Sequence, residues 1–216
     1  MKSYYLGVDT SNYTTSLAVI DSKNNIICDK RKILDVELGK KGLRQQEALF
    51  QHIKNLPILF SEIDIDMSIV SAVGMSTRPR TVEGSYMPCF LAGDSFAKTV
   101  SHSLNIPLKR FSHQEGHIGS CLINNNVQGE FLTLHLSGGT TETIHCFNRP
   151  HNLEIDSIGG SLDISFGQLV DRLGVKIGLG FPAGAELERI AQNGEKLNIK
   201  IPVSYTHLTL PTKRIV

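Results

Sequence analysis

The sequence has no tryptophan, no CxxC pair and no apolar run long enough to span a bilayer. The last two absences each close off a class of protein. Its four cysteines, Cys28, Cys89, Cys121 and Cys146, are too widely spaced for a structural zinc knuckle or a secreted disulfide framework. Asp9 interrupts any signal-peptide core near the N-terminus, so no membrane partner and a cytoplasmic location are expected. A charge excess is missing too: the formal net charge is +1 over 216 residues, which does not announce a nucleic-acid binder. Basic residues do gather locally, at Lys30, Arg31, Lys32, Lys40, Lys41 and Arg44 and at Arg78 and Arg80 around Pro79. A solvated basic face is the simpler reading of them, and an RNA contact the sharper one. Hydrophobic residues at 40% leave an ordinary globular chain with enough apolar material to bury a core.

Periodicity then sets the order of elements. YYLGVD, SLAVID and NIICDKRKIL read as three strands of one antiparallel ribbon. RQQEALFQHIKNLPILFSEI has helical spacing, with Leu49, Ile53 and Leu56 on one face and Pro57 as a kink or break. IVSAVGM is a short apolar strand, residues 84 to 105 form a helix burying Met87, Leu91 and Leu104, and IPLKRF is the next strand. A strand–turn–strand unit then recurs in FLTLHLSGGTTETIHCF, matching YYLGVDTSNYTTSLAVI. Two such hairpins could hold a nucleotide's phosphates through backbone N–H groups and hydroxyls, or could be unrelated turns of ordinary composition. Further on, Asp163 and Ser165 begin a helix with Leu169, Val170 and Leu173 as its core face, and FPAG precedes a helix starting near Ala185. Asp171 lies beside that apolar stripe, facing a cleft or solvent.

The stretch FSHQEGHIGS carries the most chemistry. His113 and His117 stand four positions apart, which on a helix puts both imidazoles on one face within reach of one ion. Glu115 is two positions after His113, roughly 200° around the helix. A HExxH metalloprotease has its glutamate directly after the first histidine, as base on the metal-bound water. Glu115 cannot take that role, which argues against a peptidase.

LGVDTSNYTTSLAVID, SHQEGHI, HLSGGTTE and LVDRLGVKIGLGFPAG, in this order, resemble the tRNA threonylcarbamoyladenosine synthase family, formerly called O-sialoglycoprotein endopeptidases. The resemblance runs from residue 4 to about 192. It implies an α/β fold of the actin-like ATPase superfamily, with two ribonuclease-H-like lobes, the second incomplete here. On that reading the first lobe covers 1–108, and 109–202 holds the metal-binding helix and a partial second lobe. The activity implied is transfer of a threonylcarbamoyl group from threonylcarbamoyl-AMP to N6 of adenosine 37 in tRNA. His113 and His117 would hold one divalent metal, iron or zinc. His135, Leu136, Ser137, Gly138 and Gly139 would contact the substrate, as would Asp171 and Gly184. Asp9, Thr10 and Ser11 would form the phosphate-side hairpin for threonylcarbamoyl-AMP or ATP. Implied partners are tRNA, a related actin-like subunit and a small ATPase.

The chain departs from the family at several places. Asn12, Tyr13 and Thr14 stand where a cysteine and two acidic residues are usual, and Asp9 where glutamate is usual. Arg78-Pro79-Arg80 replaces a G-P-G run, and Thr140 replaces a histidine. These changes suit a divergent member, or a non-catalytic nucleotide-binding paralogue that works by docking to a partner. The family's third metal ligand is an aspartate in a C-terminal segment that this sequence does not contain. VSYTHLTLPTKRIV matches nothing in the family and is similar to translated adapter read-through, so 203–216 is expected to be a spurious tail on a truncated gene.

Overall fold

The computed structural model describes residues 3–37, 42–123, 125, 127–150 and 152–198. The expected tail at 203–216, with Lys40 and Lys41, lies outside them. The chain forms two compact units, Met1–Asp35 with Leu43–Val127, and Val36–Gly42 with Gln128–Val216.

The first unit opens with an antiparallel meander of β1 (Tyr4–Asp9), β2 (Thr14–Asp21) and β3 (Ile26–Ile33). Alternation decides its buried face, since Leu6, Val8, Thr15, Leu17 and Val19 are all enclosed. Helix α1 (Gln45–Ser61) then crosses over to β4 (Val70–Arg78), which pairs parallel to β1. Helix α2 (Phe90–Leu104) leads to β5 (Leu108–Ser112), parallel to β4, giving the sheet order β3-β2-β1-β4-β5. Leu56, Leu59, Ala97 and Val100 from the two helices close the core over Val73 and Met75. Helix α3 (His113–Leu122) follows β5 and packs on β4 and β5. The first unit therefore runs past residue 108 to Val127 and takes the histidine helix with it.

Two helix readings need correction. α1 runs through Pro57 without a break. Pro57 is on the exposed side, where water can serve the Ile53 carbonyl that the missing N–H leaves unbonded. Ile53 is itself 54% exposed, and the buried face is Ala48, His52, Asn55, Leu56 and Leu59. α2 starts at Phe90 rather than 84, because Pro88 disfavours helical geometry at Met87, and Leu91 is exposed rather than buried.

The second unit repeats the opening meander as β6 (Gly129–Leu136), β7 (Thr141–Arg149) and β8 (Asn152–Gly160). β8 was not expected: its Asn, Glu, Asp and Gly residues are poor strand formers and mask the alternation of Leu153 and Ile155. Two helices follow, α4 (Phe166–Lys176) and α5 (Gly184–Ala191). Asp163 precedes α4, and Ser165 is its N-cap. Leu169 and Leu173, expected in a core, are 47% and 50% exposed. No described helix is long and apolar enough to cross a membrane.

Candidate functional site

Parallel pairing sets three side chains in a row. Val8 is paired with Met75, Ser76 with Phe111 and Arg78 with Ser112. Asp9, Ser76 and His113 therefore meet at the C-terminal ends of β1, β4 and β5, the edge where α/β sheets place ligands. Asp9 Oδ2 accepts from His113 Nδ1 at 2.7 Å and from Ser76 Oγ at 2.9 Å, and Oδ1 accepts from the Ser11 amide at 2.6 Å. Burial opposes ionisation of Asp9, but the hydrogen bond and charge of His113, with Ser11, outweigh it and hold the carboxyl at about 2. His113 Nε2 faces His117 Nε2 at 2.7 Å, with Ser11 Oγ 3.4 Å away. The two imidazoles meet edge to face, and the buried Phe90 ring stands beside His113.

Helix α3 presents these rings because its start is firmly capped. Ser112 Oγ accepts from the Glu115 amide while the Glu115 carboxylate accepts from the Ser112 amide, a reciprocal cap. Losing such a cap costs about 1 kcal/mol. Glu115 is thereby committed to the helix end and not to the histidine pair, as its angular position predicts.

The remainder of the first turn has structural work. Thr10 is fully buried; its hydroxyl donates to the Cys89 carbonyl and accepts from the Gly93 amide. A Cβ on Gly93 would come within 2.8 Å of that hydroxyl, so α2 can approach only because glycine is there. Asn12 has a left-handed backbone, φ 52°, which asparagine tolerates. Beneath the turn His52 is completely buried, with Nδ1 2.8 Å from Thr15 Oγ1, while Asn55 Nδ2 donates to the same hydroxyl at 3.3 Å. Burial holds the His52 imidazole below its ordinary value.

In the second unit the LSGG segment forms the β6–β7 turn. The Ser137 hydroxyl accepts from the Gly139 and Thr140 amides, at 3.3 Å and 3.0 Å. Thr140 Oγ1 lies 3.1 Å from His135 Nδ1, while Leu136 is half exposed. The start of α4 packs on this turn: Ser165 Oγ donates to the Gly138 carbonyl and the Gly167 amide to the Ser137 carbonyl. A Cβ on Gly167 would sit 2.4 Å from that carbonyl oxygen, so only glycine allows the contact. The first amides of α4 are all taken, by Thr141, Ser137 and Ser165, so this helix start does not offer an anion site. Asp171 Oδ1 accepts from the Ala183 amide at 2.9 Å, tying α4 to the turn before Gly184.

Comparison with known proteins decides the family. Residues 42–213 match the family model for tRNA N6-adenosine threonylcarbamoyltransferase. The chain belongs to this family. It is 31% identical over 202 residues to a tRNA N6-adenosine threonylcarbamoyltransferase of Thermosipho melanesiensis, covering 91% of this chain and 59% of that protein. A namesake from Sulfurihydrogenibium sp. is 32% identical, covering 91% and 57%, and one from Campylobacter jejuni 28%, covering 96% and 60%. The chain thus spans about three fifths of these relatives' length. Among solved structures, a ROK family protein from Streptococcus pneumoniae TIGR4 aligns with TM-score 0.49 and 13% identity, over 90% of this chain and 68% of that one. YeaZ from Pseudomonas aeruginosa aligns with TM-score 0.45 and 11% identity, over 71% and 64%.

Within this threonylcarbamoyltransferase-family chain, Asp9, Ser11, His113 and His117 come together in the first unit. His135 and Leu136 end β6 and Ser137 to Gly139 turn towards β7, while Asp171 on α4 is bonded to Ala183, the residue before Gly184 begins α5. His113 and His117 could hold a divalent ion, since two ring nitrogens converge and a carboxylate holds the far nitrogen of one ring. Among the described residues no three His, Cys, Asp or Glu side chains are arranged to hold a metal ion between them. Ser76 escaped the sequence reading, its only signal being its place at the end of an apolar strand. The role of Asp9 escaped it too, since contact with a residue 104 positions away has no local signature.

Proposed function

We propose that this chain serves threonylcarbamoyl transfer from threonylcarbamoyl-AMP to N6 of adenosine in tRNA. The observation that carries the reading is the His113–His117 pair with Asp9 on the outer nitrogen of His113. His113 and His117 would hold one divalent metal, iron or zinc. When bound, such an ion polarises a phosphate or carbonyl oxygen of the donor. Ser11, next to the pair, is placed to hydrogen-bond the donor's phosphate side. In the LSGG turn the amides of Gly139 and Thr140 are already engaged by Ser137. The adenine N6 amine attacks the carbamoyl carbon, the carbamoyl–phosphate C–O bond breaks, AMP leaves with the bonding pair, and N6 gives up one proton to solvent. Asp171 acts through the turn it holds, setting the position of Gly184. The family's tRNA acceptor and its related actin-like and small ATPase partners belong to the same reading.

The test is metal content and tRNA threonylcarbamoylation of the chain and its His113→Ala and His117→Ala variants, with the partner proteins supplied. About one ion per chain, lost with either histidine together with label transfer to tRNA, supports the proposal. Metal retained after loss of both histidines overturns it. Partner binding without metal or transfer in the parent chain would favour the docking paralogue.

A further inference from the structure

We propose that Asp9 and Ser76 are positioning residues that preset the His113 ring for metal, an inference that rests on the metal reading above. A carboxylate can only accept, so the 2.7 Å contact to Asp9 Oδ2 requires a proton on His113 Nδ1, and in the neutral ring this leaves Nε2 with its lone pair bare. That lone pair faces His117 Nε2 at 2.7 Å, so in the ion-free chain His117 carries the proton between the two rings and donates it. For both Nε2 atoms to face one ion, the neutral His117 ring would have to carry its proton on Nδ1 instead.

Asp9 can impose this tautomer only if it cannot turn. Its Oδ1 is held by the Ser11 amide at 2.6 Å, and its Oδ2 by the Ser76 hydroxyl at 2.9 Å. Ser76 is 7% exposed, and its one hydroxyl proton goes to Asp9. Because β1 and β4 are parallel neighbours, the serine and the aspartate lie side by side at equivalent points of the register. The order of action is Ser76 to Asp9 to His113 Nδ1, ending in an oriented Nε2. Ser76 touches neither imidazole in this chain of contacts, so its effect on metal must pass through Asp9.

The experiment is a Co2+ titration of the whole chain followed by the visible bands of the bound ion, on the parent, Ser76→Ala, Asp9→Asn, the double variant and His113→Ala. Long-range proton–nitrogen NMR of the ion-free chain reports the His113 tautomer in parallel. Asp9→Asn is expected to weaken Co2+ about 10–100-fold, as loss of such an outer partner does, and to mix the His113 tautomers. Ser76→Ala is expected to weaken Co2+ several-fold, with no further loss when added to Asp9→Asn, because one residue acts through the other. Ser76→Thr, which keeps the hydroxyl, is expected to restore binding. Parent-like Co2+ affinity and unmixed tautomers in both single variants would overturn the proposal while leaving the metal reading standing. A parent that binds no Co2+, or a His113→Ala chain that binds it equally well, removes the metal reading itself. Should Asp9→Asn not fold, the Ser76→Ala and Ser76→Thr pair still decides, since a merely structural serine would alter melting and not the tautomer.

Discussion

The two units start from the same three-stranded meander and part company after it. In the first, β4 adds parallel to β1 and two helices cover the sheet, so Leu6, Val8, Leu17 and Val19 are at most 3% exposed. In the second, among the described residues, β6 pairs only with β7, and Leu132, Leu134 and Leu136 on one face are 65%, 54% and 50% exposed. A meander alone buries little; it becomes a core when parallel strands and crossover helices close over it. The chemistry divides the same way. Where β1, β4 and β5 end side by side, side chains from distant positions converge on one histidine. The β6–β7 turn, by contrast, satisfies most of its polar groups internally.

The sharpest way to break this comparison is to cut the first core. Leu17→Ala is expected to cost about 2–5 kcal/mol in urea unfolding, a buried-leucine loss. In the second unit Gly167→Ala forces a methyl into the Ser137 carbonyl, and about 1–3 kcal/mol is expected, less the small gain in helix propensity. A parent-like midpoint there would mean that α4 does not rest on the LSGG turn as described.

The third prediction concerns pH. His52 is held below its ordinary value, so the unfolded chain binds the proton more readily than the folded one. Stability from this residue is complete above the unfolded value of about 6.5 and falls as pH drops towards the folded one. His52→Asn should flatten the midpoint-against-pH curve between about pH 7 and 5; an unchanged slope would assign acid sensitivity elsewhere. The smallest effect is expected at Leu134→Ser on the open face, within about 0.5 kcal/mol. A loss as large as that of Leu17→Ala would show that the face is covered in solution.

Much of the first unit was legible. Strands β1 to β5 follow from short apolar runs with period two, and the repeat announced β6 and β7. α1 was misread in detail because its inward face carries His52 and Asn55, while Phe50, Ile53 and Ile58 face out, so hydrophobicity and burial point in different directions. At the site, the four-residue spacing of the histidines and the displacement of Glu115 were local facts and could be read directly. The carboxylate partner and the serine behind it were not, since β pairing joins positions that no window along the chain contains.

That separation has a bearing on how the site is born. His113 and His117 are neighbours on one helical turn, whereas Asp9 lies 104 positions from His113 and Ser76 lies 67 from Asp9. Contacts of such long range form only after large loops have closed, late on the path to the native state. Early in folding the two imidazoles are untethered; the fixed orientation of the His113 ring arrives only with the sheet.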